Sequence, residues 1–311
     1  MTRASRISVC TIFEKHYHFG LASLCNSLYA SGYTGTLYAG YRGELPKWII
    51  NHDSFDLNKS SFSVEGKITV SLSKLSGDRH PAYLKPLFMK GILDSNKTIS
   101  NLVYADPDIV IKCNWVHLAS WLENDLCLFE DINWNMPSSH PKRQQWADFF
   151  SATDLRPHRK MERYYNSGFV AISARSSDFL RLWLALNQIV ENHNAVYDLK
   201  SRSAADIFHS TDQDALNYAL MCADLNINSI GPEGMDFAPG GYYLSHAIGK
   251  KKPWLGKHLL DAAKGISPST STKNYYKYAN VPLRVYAPAD FIFRKISMKM
   301  AAGIGRFYRR S

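Results

Sequence analysis

The chain has 311 residues, 45% hydrophobic and 21% charged, with a formal net charge of +10. That length supports a large core, as one big domain or two small ones, and no stretch supplies the roughly 18 uninterrupted apolar residues of a membrane-spanning helix. Residues 7–13 are too short and too polar-flanked for a secretory leader. The five cysteines (Cys10, Cys25, Cys113, Cys127, Cys222) show neither zinc spacing nor a disulfide framework, and read as reduced core thiols of a cytoplasmic protein.

Along the chain, "ISVCTIF" (7–13) reads as a strand. Leu21, Leu24 and Leu28 then repeat at helical spacing until Gly32 stops the helix, and "GTLYAGY" supplies a second strand. Such alternation predicts an α/β sheet that takes its ligand at the carboxyl ends of strands. The loop after the first strand, at that end, carries Glu14, Lys15 and His16. "LVYA" (102–105) is a further strand, running into Asp106, Pro107 and Asp108. Residues 131–163 are polar, rich in Trp, Pro and His, and poorly periodic, which suggests a long functional loop or short irregular helices. Trp134 and Trp146 lie there, where an aromatic ring could stack on a ligand; Trp115, Trp121 and Trp183 read as core. "GFVAISA" (168–174) is a strand followed by a helix from about residue 176. "STDQDALNYALMCADL" reads as a helix capped by Ser210 or Thr211, with Asp212 and Asp214 near its positive end. The body closes near residue 264, and "GISPSTSTKN" marks the change to a tail.

Residues i and i+2 of an extended chain point the same way, so Asp106 and Asp108 can converge on one cation, with Pro107 ending regular sheet pairing between them. Alone, Asp-Pro-Asp is more often a solvated turn. Downstream, His246, Gly249, Lys252, Pro253 and Trp254 spell H-x-x-G-x-x-K-P-W. Histidine offers a nitrogen ligand, glycine lets backbone approach a phosphate, and lysine supplies a point charge to it. Asn166-Ser167-Gly168 alone would be a turn entering a strand, and Asp212 alone a first-turn charge serving the helix dipole.

Taken together and in this order, "YADPD", "NSG" (166–168), "DQDALN" (212–217) and H-x-x-G-x-x-K-P-W resemble glycosyltransferase family 8, the retaining nucleotide-sugar enzymes that include bacterial lipopolysaccharide galactosyl- and glucosyltransferases and the glycogenins. The resemblance covers about residues 7–257. It implies a GT-A fold, an α/β Rossmann-like sheet that is mixed but mostly parallel and flanked by helices. It divides residues 1–264 into a nucleotide-binding half (about 1–112) and a half for donor sugar and acceptor (113–264), followed by the tail 265–311. It implies a metal held by Asp106, Asp108 and His246. Donor contacts would come from Thr11, Glu14, His16, Tyr83, Lys85, Asp106, Asn166, Ser167, Gly168, Gly249 and Lys252, and the catalytic set would be Asp212, Gln213 and Lys252. The family usually has Asp and Asn where this chain has Glu14 and His16, the positions of base and ribose contacts.

Two carboxylates and an imidazole suit Mn2+ better than Mg2+, the alternative, which prefers oxygen alone. The expected reaction moves a hexose from a nucleotide donor, with UDP the default, to a glycan or lipid-linked glycan of cell-surface polysaccharide or lipopolysaccharide. Front-face attack, in which the leaving phosphate takes the acceptor's proton, is the expected route to retention. The alternative is a non-catalytic sugar-nucleotide or glycan-binding protein of the same fold.

The tail carries six of the ten net positive charges in residues 284–311. Written as a helix, it aligns Phe293, Ile296, Met300, Ile304 and Phe307 beside Lys295, Lys299, Arg306 and Arg310. This predicts a basic amphipathic helix on an anionic membrane surface, hence a peripheral location on the inner face of the cytoplasmic membrane. The alternative packs the same apolar face on the core. Nucleic acid is excluded as a partner, because no helix-turn-helix or aromatic-basic platform accompanies the charge.

Overall fold

The computed structural model describes residues 6–195, 206–249 and 251–308. In chain order the elements are β1 (Ile7–Glu14), α1 (His18–Ser31), β2 (Gly35–Arg42), α2 (Lys47–Ile50), β3 (Ser61–Val64), β4 (Ile68–Lys74), α3 (Pro81–Ser95), β5 (Asn101–Ala105), β6 (Ile109–Ile111) and α4 (Trp115–Trp121). There follow β7 (Leu126–Asn135), α5 (Pro141–Phe149), β8 (Arg163–Ser173), α6 (Asp178–Ala195), α7 (Thr211–Met221), β9 (Ile227–Ile230), β10 (Leu244–His246), α8 (His258–Ala263), α9 (Thr270–Tyr278) and α10 (Pro288–Tyr308). The main sheet is mixed and eight-stranded, in the order β3-β4-β2-β1-β5-β8-β7-β9, with helices flanking it. The expected α/β class is the observed one.

The chain forms two compact units, each assembled from three segments. The first comprises Met1–Cys10, Ser76–Ala105 and Ala119–Phe237. Here β5 pairs parallel to β1, with Val9 opposite Val103, and antiparallel to β8. Every residue of β5 is buried, as is all of β8 except Arg163. A strand covered on both faces reads as a continuous apolar run, and "LVYA" and "GFVAIS" are such runs. Helix α7 packs on β8 and on α6, and it is buried at each position from Asp212 to Met221. The segment expected to be a long loop or short irregular helices contains the short helix α5; its sequence, "PKRQQWADF", offers too few apolar residues to show a period.

The second unit comprises Thr11–Leu75, Asp106–Leu118 and Ala238–Ser311. Its strands β2 and β4 are parallel, and β3 closes an antiparallel hairpin on β4. A separate two-stranded ribbon pairs β6 with β10, setting His246 opposite Ile109. Helix α1 ends where Gly32, at φ 89°, adopts the left-handed conformation and returns its N–H to the carbonyls of Leu28 and Tyr29. An aromatic core of Trp254, Tyr275, Tyr276 and Tyr286, with Met298 of α10, ties the tail to this unit. The tail therefore buries one face on the protein. The stripe of Phe293, Ile296, Met300, Ile304 and Phe307 lies outside that core and is exposed, with Phe307 85% accessible. Arg309 and Arg310 lie outside the described residues.

Candidate functional site

In the second unit a tight turn, closed by the N–H of Ile109 on the carbonyl of Asp106, presents Asp106 and Asp108. The ribbon then brings His246 to them, because Ala247 donates its N–H to the carbonyl of Asp108 at 3.0 Å. His246 Nε2 lies 3.2 Å from Asp108 Oδ1 and 3.8 Å from Asp106 Oδ2. One ligand atom from each of the three residues falls within 4.8 Å of the others. Asp108 and His246 are 8% and 7% exposed. Two carboxylates and an imidazole converging in this corner fit a divalent cation.

Lys252 completes this corner. Gly249, at φ 95°, makes the left-handed turn that returns the chain after His246. The Lys252 ammonium then donates to Asp108 Oδ2 at 2.5 Å and to the carbonyl of Ala247 at 2.9 Å. Burial pushes the Asp108 carboxyl up, but His246 and Lys252 outweigh it and hold the group well below the ordinary carboxylate range. Burial likewise disfavours the Lys252 cation, yet the Asp108 charge beside it raises its pKa, so the ammonium persists at neutral pH. Behind the turn sits Gly20 of α1, where a Cβ would collide with the carbonyl of Pro107 and the ring of Trp254. Only a glycine lets the helix back so closely onto the aspartates.

The loop after β1 belongs to the same unit. Lys15 takes φ 50°, a left-handed conformation unusual for a side-chain-bearing residue, and sits between Glu14 and His16. His16 accepts from Trp254 Nε1 at 2.8 Å and stacks on Tyr17. Burial, followed by the charges of Lys15 and Lys252, lowers the His16 pKa. Glu14 Oε2 receives Nε and Nη2 of Arg42 at 3.0 and 2.5 Å, a forked ion pair between the ends of β1 and β2. Thr11 is fully buried in β1, with no hydrogen-bond partner for its hydroxyl among the described residues.

The first unit holds a second polar cluster. Lys85 of α3, only 4% exposed, donates to the carbonyl of Ser167 at 3.1 Å and lies 3.1 Å from Asp212 Oδ2. Ser167 Oγ donates to the same Asp212 oxygen at 2.7 Å, and the Ser167 N–H donates to Gln213 Oε1 at 3.0 Å. Asn166 Oδ1 accepts from the Gly168 N–H, while its Nδ2 donates to Asp131 Oδ2 at 2.7 Å. Tyr83 is buried two residues before Lys85 on α3.

The start of α7 is held in place by several ties. Trp183 Nε1 donates to the Asp212 carbonyl, Asn217 bonds both the N–H and the carbonyl of Tyr165, and Asp214 accepts from Tyr164 Oη at 2.5 Å and the Ser210 N–H at 2.9 Å. Thr211, just before Asp212, has a strained φ of 22°.

Thus "NSG", "DQD" and Lys85 meet in one unit, and "DPD" with H-x-x-G-x-x-K in the other. Sequence reasoning missed Asp131, Arg42 and Gly20. Asp131 carried one usable signal, an acid at the outer end of the apolar run "LCLFE"; the other two are visible only through their spatial neighbours.

No family profile matches the sequence, and no curated protein is related to it at significant sequence similarity. Its fold does have solved counterparts. The galactosyltransferase LgtC, solved with donor and acceptor sugar analogues, superposes at a TM-score of 0.53 and 13% identity, covering 92% of this chain and 99% of that one. The glycosyltransferase GlyE of Streptococcus pneumoniae TIGR4 gives 0.52 at 15% identity over 96% of this chain, which spans 64% of that protein. The bifunctional glycosyltransferase WbbM gives 0.53 at 13% over 94%, and this chain spans about half (52%) of its length. The architecture is the GT-A fold that these glycosyltransferases share.

Proposed function

We propose that the protein is a metal-dependent, retaining glycosyltransferase that moves a hexose from a nucleotide sugar, UDP-hexose by default, to a glycan or lipid-linked glycan of the cell surface. The observation that carries this reading is the buried corner of Asp106, Asp108 and His246, with atoms within 4.8 Å of one another and the Lys252 ammonium 2.5 Å from Asp108. That combination of ligands and an added cation suits a nucleotide diphosphate bound with its metal. The likeness of fold to glycosyltransferases supports it.

Asp106, Asp108 and His246 would hold Mn2+, or Mg2+ in its place; once bound, the cation neutralises negative charge on the diphosphate. Lys252 adds a preorganised positive charge where the sugar–phosphate bond breaks. Gly249 leaves backbone bare beside it, and Glu14, with Arg42, and His16 would serve base and ribose. Lys85, Asn166, Ser167, Gly168 and Asp212 would hold the hexose hydroxyls. The Asp212 carboxylate is already engaged by Lys85 and Ser167, which orients it for hydroxyl recognition and weakens it as a nucleophile. Retention is therefore assigned to front-face attack, with Gln213 near the anomeric carbon and the leaving phosphate taking the acceptor's proton.

The protein would work at the inner face of the cytoplasmic membrane, with the exposed stripe of α10 and its neighbours Lys295, Lys299 and Arg306 on anionic lipid. No helix among the described residues is long and apolar enough to cross a membrane.

The test is nucleotide release from a panel of nucleotide sugars, with Mn2+ or chelator, comparing wild type and Asp108→Asn. Slow Mn2+-dependent release from one donor, abolished by the substitution, supports the reading and names the donor. Binding without turnover, seen by calorimetry, would point to a non-catalytic sugar-nucleotide binder or to a required acceptor; no binding of any donor rejects the reading.

A further inference from the structure

Strand β7 continues past Asp131 for four exposed residues, and this outer end is unusually well braced. The Asp131 carboxylate is buried and divided, with Oδ2 accepting from Asn166 and Oδ1 from the backbone N–H of Asn133 at 3.0 Å. Beyond it Ile132 is 50% exposed and Trp134 36%. The guanidinium of Arg163, at the start of β8, lies 4.7 Å from the centre of the Trp134 ring and 3.5 Å from Glu130 Oε1.

Arg143 of α5 braces the same end from below. Only 1% exposed, it donates Nε to the carbonyl of Met136 at 3.0 Å and Nη2 to that of Arg163 at 2.7 Å, while Nη1 has no partner among the described residues. Burial pushes its guanidinium down to about 10, which leaves it charged at neutral pH. A buried charge is costly, and this one is used to fix the two backbone segments that flank an exposed indole. The other tryptophan of this region, Trp146, is fully buried and spends its N–H on the carbonyl of Ile207.

We propose that Trp134, steadied by Arg163, is a carbohydrate subsite that stacks on the apolar face of a pyranose ring in the acceptor. This rests on the glycosyltransferase reading. A pyranose presents C–H bonds on one face and hydroxyls around its rim. Trp134 and Ile132 supply the flat apolar contact, and Arg163 and Glu130 offer polar groups to the rim. A ring already locked in place loses little freedom on binding. Isolated exposed tryptophans are ordinary; the clamp beneath this one and its tie through Asp131 to Asn166 are not. Trp134 lies three residues beyond Asp131, at most about 10 Å along an extended strand, in a stretch where the register of β7 with β8 shifts. That separation leaves room for a sugar between the indole and Asn166, so the subsite is taken to read a sugar beyond the one that is glycosylated, in an acceptor of at least two rings.

The test uses full-length protein labelled with 5-fluorotryptophan, its Trp134 19F resonance assigned by loss in Trp134→Phe. The probes are methyl β-galactoside, methyl β-glucoside, lactose, cellobiose and maltose, titrated with Mn2+ and UDP present. At least one disaccharide should move the Trp134 resonance saturably, and more tightly than either monosaccharide. Measured by calorimetry, that disaccharide should bind about tenfold more weakly to Trp134→Ala, with Mn2+-UDP affinity unchanged. Arg163→Gln, which leaves the indole in place, should weaken it by a smaller factor. A Trp134 resonance that no saccharide moves, or unchanged affinity in Trp134→Ala, overturns the subsite. Mn2+-UDP titration of the same sample separates the two ideas: nucleotide binding without a saccharide response sinks the subsite alone, whereas absent nucleotide binding sinks the glycosyltransferase reading.

Discussion

The role proposed for Lys252 requires its ammonium to stay protonated while buried, and Lys252 has the means. Asp108 opposes the desolvation of its ammonium, and the Ala247 carbonyl fixes its direction. Lys252→Gln keeps a hydrogen-bond donor, one bond shorter, and removes the charge. Its turnover should fall by about 10²–10³, the usual loss when one preorganised stabilising contact is removed, with a smaller change in donor KM; steady-state kinetics on the donor found by the panel would show it. Asp214 shows the opposite electrostatics. Burial pushes its carboxyl up to about 6, against about 3.9 in an unfolded chain. Between those values the folded chain keeps a proton that the unfolded chain has released. Stability contributed by this group is therefore present at low pH and lost as pH rises to about 6, by up to about 1.4 kcal/mol per pH unit. Asp214→Asn lacks this term, so urea midpoints from pH 4 to 6.5 should show wild type losing ground to the variant as pH rises. Parallel curves would refute the assignment.

Helix α10 has two apolar faces with different fates. Met298 and Ala301 are buried, while Phe293, Ile296, Met300, Ile304 and Phe307 are exposed. A period in the sequence identifies a face but not what covers it, so the tail's packing on Trp254, Tyr275 and Tyr276 was not legible while its outer stripe was. Replacing Phe293 and Phe307 together by serine should leave the thermal midpoint within a degree or two, because surface changes rarely matter to stability. The same change should weaken binding to phosphatidylglycerol vesicles by at least about tenfold, each phenylalanine contributing about 1.5–3 kcal/mol when buried in lipid. Vesicle co-sedimentation would measure it, and undiminished binding would mean that the stripe does not face lipid. Helix α5 shows the limit of periodicity from the other side. With Trp146 as one of its few apolar residues, "PKRQQWADF" has no apolar period to mark its extent, and only the folded chain shows which of the two tryptophans is exposed.

Over the whole molecule, the alternation of strand and helix was readable because buried strands and amphipathic helices leave periods of two and 3.6 in the sequence. The two polar clusters were readable only as motifs. Ser167 and Lys85 are 82 residues apart, and Lys252 and Asp108 are 144 apart; no local pattern encodes such pairings. A ligand that binds only the folded chain stabilises all of it, by about 2.7 kcal/mol at a hundredfold excess over its dissociation constant. Mn2+ with UDP should therefore raise the melting temperature of wild type by several degrees, and that of Asp108→Asn hardly at all; differential scanning fluorimetry suffices to compare them. Arg143 bears on the whole chain in another way. By joining the carbonyls of Met136 and Arg163 it reinforces the closure that the pairing of Asn135 with Arg163 already makes at the base of this excursion, and closing a loop of that size carries an entropic cost that grows only slowly with length. The guanidinium therefore acts as a latch, and with it in place residues 137–162 should resist proteases as long as the sheet they leave and rejoin does.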